Sequence, residues 1–172
     1  DIEKKLYLTR KRIENKIKAQ SINDFYVCSL STQTIVYKGM FLAEQLSEFY
    51  PDLLDNEFTS KFAIYHQRYS TNTFPTWSLA QPFRVLAHNG EINTLKGNIN
   101  WMSAHEPRIT HPFFNERIND LKPILDPDAS DSASLDAAFE LFVQTDRDMP
   151  MAKSMIIPES WSNRSDLSDQ LK

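Results

Sequence analysis

The chain spends almost no glycine. Its 172 residues include three, Gly39, Gly90 and Gly97, where average usage of roughly 7% would place about 12. Two of the three fall in one short stretch, HNGEINTLKGN, residues 88–98. A chain this sparing predicts unusual backbone geometry where glycine does occur, and this stretch is therefore the first place to look for function.

Other bounds follow from composition. Apolar residues make up 41% and charged residues 24%, close to the globular norm. A chain of this length builds one domain that buries roughly 70% of its unfolded surface. No apolar run approaches the roughly 20 residues of a membrane span, and the first twenty residues are too charged for a secretory signal. The one cysteine, Cys28, excludes an internal disulfide framework and a cysteine zinc site, so a reducing compartment is the expectation. His66, His88, His105 and His111 form no i, i+4 pair and no carboxylate–histidine spacing, which predicts no metal. The net charge of −4 leaves no overall basic footprint for nucleic acid. Residues 1–20 alone carry seven Lys/Arg against three Asp/Glu. A basic helix there could meet a phosphate or an acidic partner, although a solvated face is the plainer reading.

Hydrophobic periodicity predicts an amphipathic helix over 2–19, with Ile2, Leu6, Ile13 and Ile17 on one stripe. Residues 24–38 read as a hairpin of two short strands about a Ser-Thr-Gln turn. Met40 to Tyr50 reads as a helix stopped by Pro51, and 51–60 as a loop. Residues 61–69, KFAIYHQRY, alternate like a buried strand, and FRVLAH (83–88) reads as another, with a Thr-, Pro- and aromatic-rich loop between them. Ile92, Leu95, Ile99 and Met102 set a helical stripe over 91–105 that Pro107 closes. Residues 106–128 read as loop. Ser130 and Asp131 look like a helix start, and MAKSMIIPESW as one more short element. The last dozen residues are polar, and Asn163-Arg164-Ser165 is a chance match to a glycosylation acceptor. Strands and helices are mixed, so the class is α/β or α+β.

Three places put polar groups at the ends of apolar segments. Arg68 closes the 61–69 strand, where a buried guanidinium needs an anion; a neighbouring Asp or Glu would serve as well as a ligand. Asn89-Gly90 turns the chain between a strand and a helix. That is a common tight turn, but it also exposes an amide side chain and backbone N–H groups, the parts of an oxyanion hole. Asp131 opens a helix, where a carboxylate is ordinarily a cap; it could equally receive an ammonium group. Together they suggest a site for a zwitterion, with Arg68 on an α-carboxylate, Asp131 on an α-amino group and Asn89/Gly90 on a developing oxyanion, as an amide hydrolase acting on an amino acid requires.

The string FAIYHQRYSTNTFPTWSLAQPFRVLAHNGEINTLKGNINWMSAHEP resembles the glutaminase domain of glutamate synthases, within the class II glutamine amidotransferases. DFYVCSLSTQTIVYKGM, SDSASLD and MIIPESW resemble the same family, and the resemblance covers about residues 1–163. NTFPTWSLAQPFR looks closest to the ferredoxin-dependent type. The resemblance implies an α+β fold, an N-terminal-nucleophile hydrolase αββα sandwich of which residues 1–172 form a partial domain. It implies release of ammonia from L-glutamine for the reductive amination of 2-oxoglutarate in the remainder of the glutamate synthase chain. No cofactor is implied for this part. FMN and a 3Fe–4S cluster are implied for the whole enzyme, with ferredoxin or a nicotinamide-nucleotide-oxidising subunit as electron donor, in the cytoplasm or a plastid stroma.

Residue by residue, the resemblance implies that Arg68 clamps the glutamine α-carboxylate and Asp131 its α-ammonium. Asn89, through its side-chain amide, and Gly90, through its N–H, form the oxyanion hole. Glu91 stands near the substrate amine, and His66, Ser70 and Thr71 flank the pocket. The family's nucleophile is a cysteine at the mature N-terminus, with its own α-amine as base. Here Asp1 stands first, and Cys28 reads as a buried structural residue. The piece therefore reads as the substrate-binding half of the site without its attacking group. The alternative is a non-catalytic glutamine-binding or scaffold module.

Overall fold

The computed structural model describes residues 1–22, 24–68 and 74–157. Ser70, Thr71, the polar tail and the Asn163 sequence lie outside the described residues. Helix α1 spans Ile2–Lys18, close to the expected range. Helix α2 is a single turn, Leu46–Phe49, entered through a 3-10 turn at Ala43–Gln45. Pro51 does end it, but opens another 3-10 turn, Pro51–Leu54, where the sequence suggests a loop. Helix α3 is Leu95–His105, α4 Asp131–Gln144 and α5 Met149–Ile156.

The core lies between α1, the 106–125 segment and α4. Tyr7 and Leu8 of α1 meet Phe114, Leu121, Ile124 and Leu125, with Leu141 of α4 and the partly buried Ile99 and Met102 of α3 against them. Residues 106–128 are not the plain loop that their sequence suggests; they contain 3-10 turns at Glu106–Arg108 and Asn115–Leu121 and, among the described residues, supply the largest fully buried apolar side chains, Phe114 and Leu121. Their prolines and asparagines end regular hydrogen bonding but leave Phe114 and Leu121 free to face inward. Polar ties hold this segment to α1: Asn15 Nδ2 donates to the carbonyls of Asp120 and Lys122, both at 2.9 Å.

Among the described residues no strand forms. The expected hairpin keeps its reversal but not its ladder. The N–H of Val36 donates to the Ser29 hydroxyl at 3.0 Å instead of a backbone carbonyl, and the turn tip is tied to Glu3 of α1 through Ser31 and Thr32. The 83–88 segment bends, with the Phe83 N–H donating to the Leu86 carbonyl at 2.8 Å. Residues 61–68 are exposed throughout, not buried. A strand earns its burial from a neighbouring strand, and no such neighbour faces these segments among the described residues. The β layers of the expected sandwich are therefore not formed among them. Cys28 is half-buried rather than buried.

Glycine does not do what its scarcity suggests. None of the three has a positive φ. Gly39 is required for space, because a Cβ would lie 2.0 Å from the Phe41 ring. At Gly90 a Cβ would come within 3.1 Å of the His88 imidazole, and at Gly97 it would meet nothing. The left-handed residue of the stretch is Thr94, at φ 61°, where a β-branched side chain is uncommon and strained.

Candidate active site at the Asn89–Gly90 corner

The corner is longer than expected. Helix α3 does not follow Gly90 at once; Glu91 to Thr94 intervene, and Thr94 is the residue before the helix. The strained turn at Thr94 redirects the chain into α3, whose Asn98 N–H donates back to the Thr94 carbonyl at 3.1 Å. Asn89, Gly90 and Glu91 are exposed at the tip.

Helix α4 holds this tip. Its N-terminus is made as the sequence predicts: the Ser130 hydroxyl accepts the Ala133 N–H at 3.2 Å. Ser130, not Asp131, is thus the cap. Asp131 is the first helical residue, where the helix dipole favours a carboxylate. Its Oδ2 accepts the Ile92 N–H at 2.9 Å, and its Oδ1 accepts the Ser132 N–H at 2.6 Å. One residue on, the Ser132 hydroxyl meets His88 Nδ1 at 3.3 Å. Five residues on from Asp131, Asp136 accepts the Val85 N–H at 2.9 Å. The backbone is therefore tied at Val85 and Ile92, on both sides of the Asn89–Gly90 pair, with the His88 side chain as a third tie between them.

Asp131 and the Asn89–Gly90 corner are thus brought together, as the zwitterion reading needs. Arg68 is not joined to them by any described contact. It is exposed, its N–H donates to His66 Nδ1 at 3.3 Å, and among the described residues it makes no ion pair. The expectation of a guanidinium at the end of a buried strand is corrected, because residues 61–68 lie in solvent. His66 is exposed as well. A groove of about 800 Å³ between α3, α4 and α5 has Ile92, Leu95, Met102, Asp131, Ser134 and Leu135 among its walls. The Ser134 hydroxyl is buried there without a hydrogen-bond partner among the described residues. Among the same residues no cluster of His, Cys, Asp or Glu could hold a metal ion, and no helix is long and apolar enough to cross a membrane.

The sequence reading missed the buried polar stripe of α4. Ser132, Asp136 and Glu140 recur every four residues and are all buried. That spacing puts them on one helical face, and polar residues at i, i+4 and i+8 flanked by Ala, Leu and Phe were the available signal. Glu140 pairs with the buried Arg10 of α1 at 2.5 Å. Arg10 also pairs with Glu14, which in turn pairs with Arg84 at 2.7 Å. Burial pushes the Asp136 carboxyl up to about 6, with Glu140 adding to the rise. Burial likewise pushes the Cys28 thiol up, away from the thiolate that nucleophilic chemistry uses.

A family model for class II glutamine amidotransferases matches residues 1–172, and the chain belongs to that family. It is 60% identical over 97% of its length to the large chain of the NADPH glutamate synthase of Azospirillum brasilense. It is 51% identical over 98% to that of Bacillus subtilis, and 49% identical over 98% to the ferredoxin-dependent glutamate synthase of Pyropia yezoensis. The chain spans 11% of the length of each of these relatives. Identity over the whole chain is 60% to the Azospirillum NADPH type and 49% to the Pyropia ferredoxin type.

Proposed function

We propose that these residues form the glutamine-binding part of the glutaminase domain of a glutamate synthase. The observation that carries the reading is the Asn89–Gly90 corner held on the first turn of α4, beside Asp131. The Asn89 amide and the Gly90 N–H stand at the tip as donors for an oxyanion. Asp131 keeps lone pairs beyond its backbone bonds and takes the substrate α-ammonium. Arg68 takes the α-carboxylate, Glu91 stands by the substrate amine, and His66, Ser70 and Thr71 complete the pocket wall, in an αββα sandwich to which 1–172 contribute part.

In the reaction a cysteine thiolate attacks the side-chain carbonyl carbon of L-glutamine. The carbonyl π electrons move to oxygen, where the two donors hold the charge. The C–N bond then breaks, the nitrogen takes a proton and leaves as ammonia, and water cleaves the thioester to release glutamate and the thiol. Cys28, half-buried with its thiol pushed up, does not serve, and another part of the polypeptide supplies the nucleophile. The ammonia feeds amination of 2-oxoglutarate elsewhere in the enzyme. FMN and a 3Fe–4S cluster act there with ferredoxin or a nicotinamide-nucleotide-oxidising subunit; one cysteine cannot supply the thiolates of an iron–sulfur cluster. The setting is the cytoplasm or a plastid stroma.

The test is Asn89→Ala in the full-length enzyme that carries these residues. Loss of one oxyanion donor should lower kcat for glutamine hydrolysis by about 100- to 1,000-fold, or about 3–4 kcal/mol. A glutaminase rate equal to that of the parent enzyme overturns the assignment.

A further inference from the structure

Between Val85 and Ile92 the chain has no helix or strand to stiffen it, yet an oxyanion hole works only if its donors stay within a fraction of an ångström of their mark. Stiffness must come from outside, and the three ties to α4 supply it. The tie before the corner is the most deeply placed. Asp136 is 1% exposed, and its Oδ1 accepts the Val85 N–H at 2.9 Å, four residues ahead of Asn89. The charged groups beside it are Glu140 on its own helix, Arg84 on the facing segment and Lys38. Arg84 spends its guanidinium on Glu14 and the Val27 carbonyl. Among the described residues Asp136 has no salt bridge. A buried carboxylate without an ion pair is costly, and what it holds in return are the Val85 amide and, more weakly, the Arg84 amide, both at the entry to the corner.

We infer that Asp136 is a positioning residue for the Asn89–Gly90 corner: by accepting the Val85 amide it fixes the entry of the corner on α4, as Asp131 fixes its exit at Ile92. One helix thereby sets the distance between the ammonium-binding carboxylate and the oxyanion donors. The inference rests on the proposed role of that corner as the oxyanion hole.

Glutamine hydrolysis by the full-length enzyme tests it, with Asn89→Ala assayed in parallel. Asp136→Ala removes the acceptor and should lower kcat by about 10- to 100-fold through misplaced donors, with KM for glutamine near the parent value. Asp136→Asn keeps an acceptor oxygen in the same shape and should restore most of kcat. Should the alanine variant fail to fold, Asp136→Leu fills the volume without an acceptor and should show the same loss. A purely structural role would lower thermal stability without this split between kcat and KM. A folded Asp136→Ala or Asp136→Leu enzyme with parental kcat, beside a crippled Asn89→Ala, overturns the inference and leaves the corner's role intact. A folded Asp136→Asn enzyme as slow as the alanine variant also overturns it. If Asn89→Ala itself runs at the parental rate, the corner's role fails, and the inference with it.

Discussion

Helix α1, the 106–125 segment and α4 share one core, whereas residues 24–68 and 74–86 carry comparable apolar content largely in the open. In the first region Phe114 is 0% exposed, edge-on to Tyr7 at 6.1 Å between ring centres. In the second, Phe62, Tyr65 and Phe74 are 76%, 82% and 87% exposed. Only Lys38 and Phe83 are buried there among the described residues. The Lys38 ammonium donates to the Ser78 carbonyl at 2.9 Å, lies 4.3 Å from the Phe83 ring centre, and is pushed down to about 8 by burial. The difference lies in where each region finds its hydrogen bonds. A helix satisfies its backbone locally and is free to offer a whole face to a neighbour. A strand sequence has its backbone unpaired until another strand arrives.

The sharpest break of that comparison is Phe114→Ala. Removing a fully buried ring should cost about 3–5 kcal/mol, read as a fall in the urea midpoint of the chain. The next effect is one of pH. The Asp136 carboxyl is raised from 3.8 to about 6 in the folded chain, so between those values the folded state holds a proton that the unfolded chain has released. Stability from this group is fully present below the unfolded value and is lost as pH rises through about 6, by about 3 kcal/mol in all. Asp136→Asn should flatten that part of the stability–pH curve relative to the parent chain, and two parallel curves would refute the Asp136 carboxyl as its origin. Ser130→Ala removes the α4 cap and should cost about 1 kcal/mol by the same unfolding measurement. At the bottom of the scale, Phe62→Ser should change stability by less than about 0.5 kcal/mol; a loss approaching that of Phe114 would show that the open region has a packed face after all.

The legible features were those with local causes. The span of α1, the stop at Pro51 and the Ser130 cap each follow from residues within a turn of one another, and each appears close to its expected place; the α1 stripe does not, because Ile2 and Ile13 are exposed and the helix buries Tyr7, Leu8 and Arg10. The pairing of Asn89–Gly90 with Asp131 follows from chemistry and from the family resemblance, and the Ile92–Asp131 bond brings the two together. What misled was burial. KFAIYHQR alternates like a buried strand but lies exposed, and the Pro- and Asn-rich 106–128 segment, which reads as loop, supplies Phe114 and Leu121. The glycine argument erred in the same way. A Cβ would crowd the Phe41 ring at Gly39 and only brush the His88 imidazole at Gly90; neither glycine has a positive φ, while the strained position fell to Thr94.

By itself the sequence determined the helices that cap and bury themselves over short distances, the residue types available at the corner, and the family to which the chain belongs. Tertiary structure alone decided that Asp136 would reach the Val85 amide, that Arg10 would meet Glu140, and that the strand-like segments would stand without partners among the described residues. Hydrogen bonds between residues distant in sequence leave no periodic trace, because their geometry is set by how helices come to lie against one another rather than by any spacing along the chain.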